Sequence, residues 1–138
     1  MQTVSHMLHK IQGDIRLPAV GLGTHQLQGR EGYNALRSAF DLGYRHIDTA
    51  RVYGNEDLVG QALADADMNR NDLFLTTKIW TDELTGARVP EAVQDSLRKL
   101  KTDFIDLVLI HWPGRDVPME ETLEALSLLR DRSRVRHI

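Results

Sequence analysis

The stretch that decides the fold reads Gly43-Tyr-Arg-His-Ile-Asp-Thr-Ala-Arg-Val-Tyr-Gly-Asn-Glu-Asp-Leu-Val-Gly60. It predicts a short strand that ends at Asp48, a polar loop that carries Tyr53, and then a helix. Two later predicted strands also end on a polar side chain, the first at Lys78 and the second at His111. These ends are about 30 residues apart, which fits one βαβ unit each. Successive parallel strands bring their carboxyl ends to one edge, so we expect an acid, a base, an imidazole and a phenol to meet there.

The bulk composition limits the function classes. The chain has 138 residues, of which 41% are hydrophobic and 27% are charged, and its net charge is −3. This composition is typical of a soluble globular domain. A closed eightfold βα barrel takes about 250 residues, so 138 residues are too few to form one. The scattered lysines and arginines argue against a nucleic-acid partner, and no apolar run is long enough to span a membrane. The lack of cysteine and of an apolar leader favours a cytoplasmic enzyme.

Outside the opening stretch, the pattern predicts a hairpin and then alternating strands and helices. Residues 1–7 are interpreted as an N-terminal extension or a cloning remnant, and residues 8–138 as one domain. Gly13 and Asp14 indicate the hairpin turn, and four strand–helix units follow before a fifth strand starts near Val135. This order favours parallel strands, either in a doubly wound sheet or in a βα barrel. Polar residues at the ends of several strands favour the barrel.

Three finer expectations concern single positions. Gly21 and Gly23 form only part of a dinucleotide-binding fingerprint, so the Rossmann interpretation is rejected. Asn55 is a plausible N-cap of the helix that follows Tyr53. Pro118 opens the last helix, whose buried face is expected to consist of three leucines. They are Leu123, Leu126 and Leu129.

The four polar residues suggest a proton relay that points at a carbonyl oxygen. A free phenol is a weak proton donor at neutral pH, but a nearby ammonium stabilises its phenolate, and Lys78 could do this for Tyr53. Asp48 could pair with the lysine, and His111 could orient the carbonyl by a hydrogen bond. None of these groups supplies a hydride, so a reduction needs a nicotinamide cofactor. The spacing of the histidines indicates no metal site.

Each candidate also has a purely structural interpretation. Asp48 alone could be a loop residue that accepts hydrogen bonds, Tyr53 a half-buried aromatic, and His111 a core histidine with satisfied nitrogens. Lys78 is more unusual, because lysine rarely lies buried. Two tryptophans follow strand ends and could be packing residues or the walls of an apolar substrate pocket. They are Trp80 and Trp112.

These motifs resemble those of the aldo-keto reductases over residues 8–138. Besides the stretch from Gly43 to Gly60, the similar motifs are Thr77-Lys78-Ile79-Trp80 and Leu109-Ile110-His111-Trp112-Pro113. The similarity is greatest to the bacterial 2,5-diketo-gluconate or methylglyoxal reductase branch. The resemblance implies an α/β fold of the eightfold TIM-barrel family, here with an N-terminal hairpin, the first four βα units and the start of strand 5. It also implies NADPH-dependent reduction of aldehydes and ketones to alcohols.

The resemblance implies a role for each site residue. Tyr53 would be the general acid, assisted by Lys78, while Asp48 pairs with the lysine and His111 orients a small carbonyl substrate. The expected cofactor contacts are Gly23, Thr24 and Asp48. The expected substrate contacts are His25, Val52, Trp80, His111 and Trp112.

The family pattern continues beyond Ile138, where its members place most of the residues that hold the cofactor. An alternative function is therefore a truncated, non-catalytic half-barrel that serves as an interaction domain or a relic. A nicotinamide-binding regulatory subunit and a fragment of a full-length enzyme are further alternatives. A half-barrel leaves unpaired strand edges, so we expect self-association or poor folding of the isolated chain.

Overall fold

A computed structural model describes residues 8–138 as a small hairpin and a five-stranded parallel sheet with four helices. The interpretation of residues 1–7 lies outside this range. Strands β1 (His9–Gln12) and β2 (Ile15–Pro18) pair antiparallel around a turn at Gly13, whose φ of 60° favours glycine. The predicted hairpin is therefore confirmed.

The parallel sheet is built in the order of the sequence, and each strand pairs with its neighbour along the chain. Its strands are β3 (Leu22–Gly23), β4 (His46–Asp48), β5 (Phe74–Ile79), β6 (Ile105–Ile110) and β7 (Val135–His137). The helices are α1 (Gly29–Asp41), α2 (Glu56–Ala64), α3 (Arg88–Leu100) and α4 (Met119–Asp131). A doubly wound sheet reverses its strand order at a switch point. The unbroken order β3-β4-β5-β6-β7 therefore favours the wall of a barrel.

The core lies between the sheet and the helices. Leu36, Ile47, Leu75, Leu100 and Leu126 are fully buried there. Helices α2 and α3 approach very closely, since a Cβ added at position 60 would lie 2.0 Å from the backbone oxygen of residue 99. Only glycine allows this crossing. No helix in the described part of the chain is long and apolar enough to cross a membrane.

A charged cluster joins three strands. The Asp106 side chain is almost fully buried and accepts hydrogen bonds from Arg70 at 2.7 Å and from Arg136 at 3.1 Å. It also accepts from the backbone N–H of Leu75 at 2.9 Å. Burial lowers the pKa of Arg70, and the charge of Asp106 opposes that shift. The cluster ties β5, β6 and the start of β7 together at the end away from the residues predicted to form the site.

One of the finer expectations is wrong, and another is confirmed in position but not in its hydrogen bonds. Leu123 is 41% exposed, and the neighbouring Thr122 takes the buried place because its hydroxyl donates to the carbonyl oxygen of Leu84 at 2.7 Å. Asn55 is the N-cap residue of α2, as expected, but its side chain forms no capping bond. It donates instead to the carbonyl oxygens of Thr24 at 2.7 Å and Leu27 at 2.9 Å. Carbonyl groups in a buried loop need donors, and this need outweighs the helix cap.

Candidate active site

The four residues of the predicted relay come together at the carboxyl ends of the parallel strands. Asp48 is the last residue of β4, Lys78 is the penultimate residue of β5, and His111 follows β6. Tyr53 ends a short 3-10 turn, Arg51–Tyr53, that comes soon after β4. Parallel pairing of β4 with β5 and of β5 with β6 places these strand ends side by side. The spacing of the motifs therefore led to the right juxtaposition.

Lys78 is the centre of this group. Its ammonium forms an ion pair with Asp48 and donates to the carbonyl oxygen of Thr49 at 2.9 Å. It also donates to the Tyr53 hydroxyl at 3.4 Å, and its side chain is only 14% exposed. An ammonium has three donors, and all three are used here. Because the phenol oxygen accepts from Lys78, the proton of the phenol is free for another acceptor.

His111 stands on the other side of the phenol. Its ring meets the Tyr53 ring edge-on at 5.8 Å between centroids, and the Trp80 ring edge-on at 5.1 Å. Burial lowers the pKa of His111, and the positive charge of Lys78 lowers it further. Its Nδ1 is buried and has no hydrogen-bond partner among residues 8–138. These features favour a neutral imidazole.

A cleft of about 730 Å³ opens beside Tyr53, a size typical of a small-molecule site. Its lining consists of His25, Gln26, Gln28, Val52, Tyr53, Trp80, His111 and Trp112. All five predicted substrate contacts are in this set. The sequence interpretation missed Gln26 and Gln28, although both follow His25 in the loop after β3. The loop after β3 lies at the same edge of the sheet as the other strand ends, and for that reason its polar residues could have been predicted to line the site.

Two imidazoles therefore flank one phenol. The His25 ring lies 4.9 Å from the Tyr53 ring, tilted by 46°, on the loop after β3. Gln28 links the loop after β3 to the turn that carries Tyr53, because its side-chain amide donates to the backbone oxygen of Tyr53 at 3.4 Å. Val52 and Trp112 are 47% and 61% exposed, so they offer apolar surface at the mouth of the cleft. The cleft combines apolar walls with polar groups grouped around the Tyr53 hydroxyl.

The three predicted cofactor contacts differ in what they offer. Gly23 pairs with Asp48, is exposed, and would have nothing within 4 Å of an added Cβ. This leaves open space beside the Asp48 side chain, which is 37% exposed. Thr24 is fully buried, and its hydroxyl donates to that of Thr49 at 2.7 Å. Its backbone N–H and carbonyl are also engaged, by Asp48 and Asn55. Thr24 therefore has no free polar group for a cofactor, whereas Gly23 and Asp48 leave room for one.

No group of three or more His, Asp or Glu side chains among residues 8–138 could hold a metal ion.

Comparison with known proteins assigns the chain to a family. The model of the aldo/keto reductase family matches residues 19–138. The chain belongs to the aldo/keto reductase family. Among curated relatives, methylglyoxal reductase DkgB of Salmonella typhi is 43% identical over 124 residues, covering 88% of this chain and 46% of that protein. This agrees with the branch that the motifs indicated.

Solved structures of aldo/keto reductases share the architecture. One from Brucella melitensis superposes with a TM-score of 0.87 at 39% identity, covering 94% of this chain and 52% of that one. A Bombyx mori aldo-keto reductase in complex with NADP gives a TM-score of 0.81 at 36% identity, covering 88% and 46%. The expected barrel-family fold is therefore confirmed. The chain spans about half the length of the relatives it matches.

Proposed function

We propose that this chain carries the proton-donating half of an NADPH-dependent carbonyl reductase, which converts aldehydes or ketones to alcohols. The observation that carries the proposal is the position of the Lys78 ammonium. It bonds both Asp48 and the Tyr53 hydroxyl, and Tyr53 lines the cleft. A phenol held against an ammonium and open to a small-molecule cleft is an arrangement suited to proton donation.

In this proposal Tyr53 gives its proton to the carbonyl oxygen as the carbon is reduced. Negative charge develops on Oη as the proton leaves, and the ammonium of Lys78, 3.4 Å away, stabilises that charge. Asp48 pairs with the lysine and fixes the direction of its side chain. Because the group is already assembled by strand ends, little reorganisation is needed during the reaction.

His111 orients the carbonyl. A neutral ring with its proton on Nε2 leaves Nδ1 as an unpaired acceptor, and a buried unpaired acceptor is less unusual than a buried unpaired donor. The Nε2–H is then free to donate to the same carbonyl oxygen that receives the Tyr53 proton. Two donors would thus hold one oxygen, which fixes the position of the carbon next to it.

The cofactor assignment rests on the open surface at Gly23 and Asp48 and on the relative from Bombyx mori that was solved with NADP. When bound, NADPH supplies the hydride that the residues of this chain cannot supply. Gly23 and Asp48 are the residues that would line the bound cofactor. Thr24 would not contact the cofactor. Its role would be structural, since its hydroxyl bonds that of Thr49 and so holds the end of β3 in place.

The substrate class follows from the cleft and from one relative. The walls contain Trp80, Trp112 and Val52, and the polar groups lie near Tyr53, so the cleft suits a small carbonyl compound with a short apolar part. DkgB of Salmonella typhi is named a methylglyoxal reductase, which makes methylglyoxal the first substrate to test.

The proposal is tested with the purified 138-residue chain. NADPH fluorescence during titration measures binding, and NADPH absorbance measures its oxidation in the presence of methylglyoxal and of a panel of larger aldehydes. We expect saturable binding with a Kd in the micromolar range, which is about −8 kcal/mol, and carbonyl-dependent oxidation. The proposal is contradicted if the chain does not bind NADPH and does not oxidise it with any of the carbonyl compounds.

A second candidate function, a non-catalytic domain that self-associates, is favoured by the sheet edges. In the described part of the chain β3 and β7 each pair on one side only. Edge strands with free N–H and C=O groups are templates for pairing with another chain. Light scattering at several concentrations tests this. A mass that rises to that of a dimer or larger supports pairing, and a monomer at all concentrations rules it out.

A further inference from the structure

The turn that carries Tyr53 has weak support of its own. Within Arg51–Tyr53 and Gly54, the backbone hydrogen bonds are those of Tyr53 N–H to Ala50 O at 3.2 Å and Gly54 N–H to Arg51 O at 3.1 Å. Val52, the middle residue of the turn, has a side chain that is 47% exposed and adds little packing. A short exposed turn of this kind opens easily unless something anchors it. The position of the Tyr53 hydroxyl therefore depends on contacts made by the rest of the turn.

Arg51 makes those contacts. Its guanidinium donates two parallel hydrogen bonds to the Glu83 carboxylate, from Nε–H to Oε2 at 2.7 Å and from Nη2–H to Oε1 at 2.6 Å. Its Nη1 donates to Asp95 at 3.1 Å, to Ser96 Oγ at 3.1 Å and to the backbone oxygen of Ala92 at 2.9 Å. The side chain is only 14% exposed. Paired bonds of this kind fix both distance and direction.

The partners of Arg51 belong to other parts of the site wall and the core. Glu83 ends the short turn Thr81–Glu83, which directly follows Trp80. Asp95 and Ser96 lie on α3, which packs on β5, the strand that carries Lys78. One side chain thus joins the turn of Tyr53 to the loop of Trp80 and to a buried helix.

A buried carboxylate completes the cluster. Glu56, at the start of α2, is 2% exposed and accepts from Thr77 Oγ1 at 2.6 Å and from Ser96 Oγ at 3.1 Å. Arg51 Nη1 lies 3.8 Å from it. Burial raises the pKa of Glu56, and the two hydroxyls and the Arg51 charge oppose that shift. The guanidinium therefore faces three carboxylates, and it is held from several sides.

We propose that Arg51 is a positioning residue, which holds the Tyr53 turn against the loop of Trp80 and against α3 so that the phenol stays at Lys78. The catalytic part of this inference rests on the proposed function, whereas the positioning part does not. Arg51 touches neither the cleft nor Lys78, so it acts through Tyr53 and not on a substrate.

The direct test is amide hydrogen exchange in the 138-residue chain, read residue by residue by NMR. Arg51→Met should speed the exchange of the Tyr53 and Gly54 amides by about tenfold or more, while the amides of β5 keep their protection after correction for global stability. The matched control is Arg98→Met. Arg98 pairs with the same Asp95 at 2.5 Å, but it is 70% exposed and forms no hydrogen bond with residues 50–54. The control should leave both turn amides unchanged.

A second variant covers the case in which Arg51→Met does not fold. Glu83→Gln keeps the shape of the partner and removes its charge, so it weakens the paired bonds while Asp95 and Ser96 still hold the guanidinium. It should speed the exchange of the same two amides by a smaller factor. Unchanged exchange of both amides in the folded variant would overturn the positioning role, whatever any activity assay shows.

The catalytic part has its own readout. A shift of about 1 Å in a reacting group can lower a rate by about 100-fold, so Arg51→Met should lower the kcat for carbonyl reduction far more than it raises KM, with Arg98→Met unchanged. A turn that loosens while kcat stays the same would show that Tyr53 does not donate the proton. That result overturns the catalytic part and leaves the positioning part standing.

Discussion

Replacing Lys78 by methionine removes the one cation that contacts the Tyr53 hydroxyl in the described residues. The two groups are 3.4 Å apart. Unit charges at that distance interact by about 5 kcal/mol at an effective dielectric constant of about 20. Only part of a charge develops on Oη in the transition state, and Asp48 offsets part of the field. We therefore expect a loss of about 2 to 3 kcal/mol of transition-state stabilisation, or a rate about 30- to 160-fold lower.

The assay compares kcat/KM for carbonyl-dependent NADPH oxidation in the parent chain, in Lys78→Met and in a control. Lys101→Met is that control, because Lys101 bonds Gln61 at the surface at 2.7 Å and lies outside the cleft. It should leave the rate unchanged. Urea unfolding of each variant shows whether the fold is intact.

The reasoning would be refuted by a Lys78→Met variant that folds normally and loses less than about threefold in kcat/KM. Such a result would mean that the ammonium only holds Asp48 and the Thr49 carbonyl in place. A similar loss in Lys101→Met would show instead that general surface charge sets the rate.

Three further predictions concern stability. Burial lowers the pKa of both His46 and His111, so the unfolded chain binds more protons near pH 6; the free energy of unfolding should therefore fall as the pH drops below about 6.5, as measured by urea titrations at several pH values. Gly60→Ala should lower the free energy of unfolding by about 1 to 3 kcal/mol because its Cβ would overlap α3, whereas Gly86→Ala, with no contact under 3.4 Å, should change it little. Asp106→Asn should lower the free energy of unfolding by about 3 to 5 kcal/mol, because it leaves the partly buried Arg70 without its counter-charge. The control is Asp103→Asn, at an exposed position. Equal free energies of unfolding for Gly60→Ala and Gly86→Ala, or for Asp106→Asn and Asp103→Asn, would contradict the structural argument.

The sequence was sufficient for the features that depend on periodicity and on strand ends. Alternating apolar runs predicted the hairpin and the strand–helix order, and polar residues at the ends of β4, β5 and β6 predicted a common site. Asp48, Lys78 and His111 lie at those ends because parallel strands in register deliver them there. This part of the account needs only local pattern and the geometry of a parallel sheet.

The features that the sequence did not predict depend on partners far along the chain. The sequence pattern assigned no role to Arg51, because its partners Glu83 and Asp95 are 32 and 44 positions away. Thr24 matches a cofactor position, but its hydroxyl is taken by Thr49, 25 positions later. Which donor meets which acceptor depends on how the loops pack together, and no local pattern records that.

The same reason explains the error at Leu123. Helical periodicity alone allows either leucine or threonine to face inward, since Thr122 and Leu123 are adjacent. The carbonyl oxygen of Leu84, 38 positions earlier, needs a donor, and the Thr122 hydroxyl supplies it. The helix is rotated accordingly, and Leu123 is left partly exposed.

The most direct test of the central claim is a comparison of Tyr53→Phe with Tyr33→Phe in carbonyl-dependent NADPH oxidation. Both changes remove one hydroxyl, but the Tyr33 hydroxyl donates to Asp65 at 2.8 Å on the surface, whereas that of Tyr53 accepts from Lys78. We predict that Tyr53→Phe lowers kcat by about 100-fold or more, while Tyr33→Phe keeps the parent rate. Equal rates for both variants and the parent would contradict the claim that Tyr53 donates the proton.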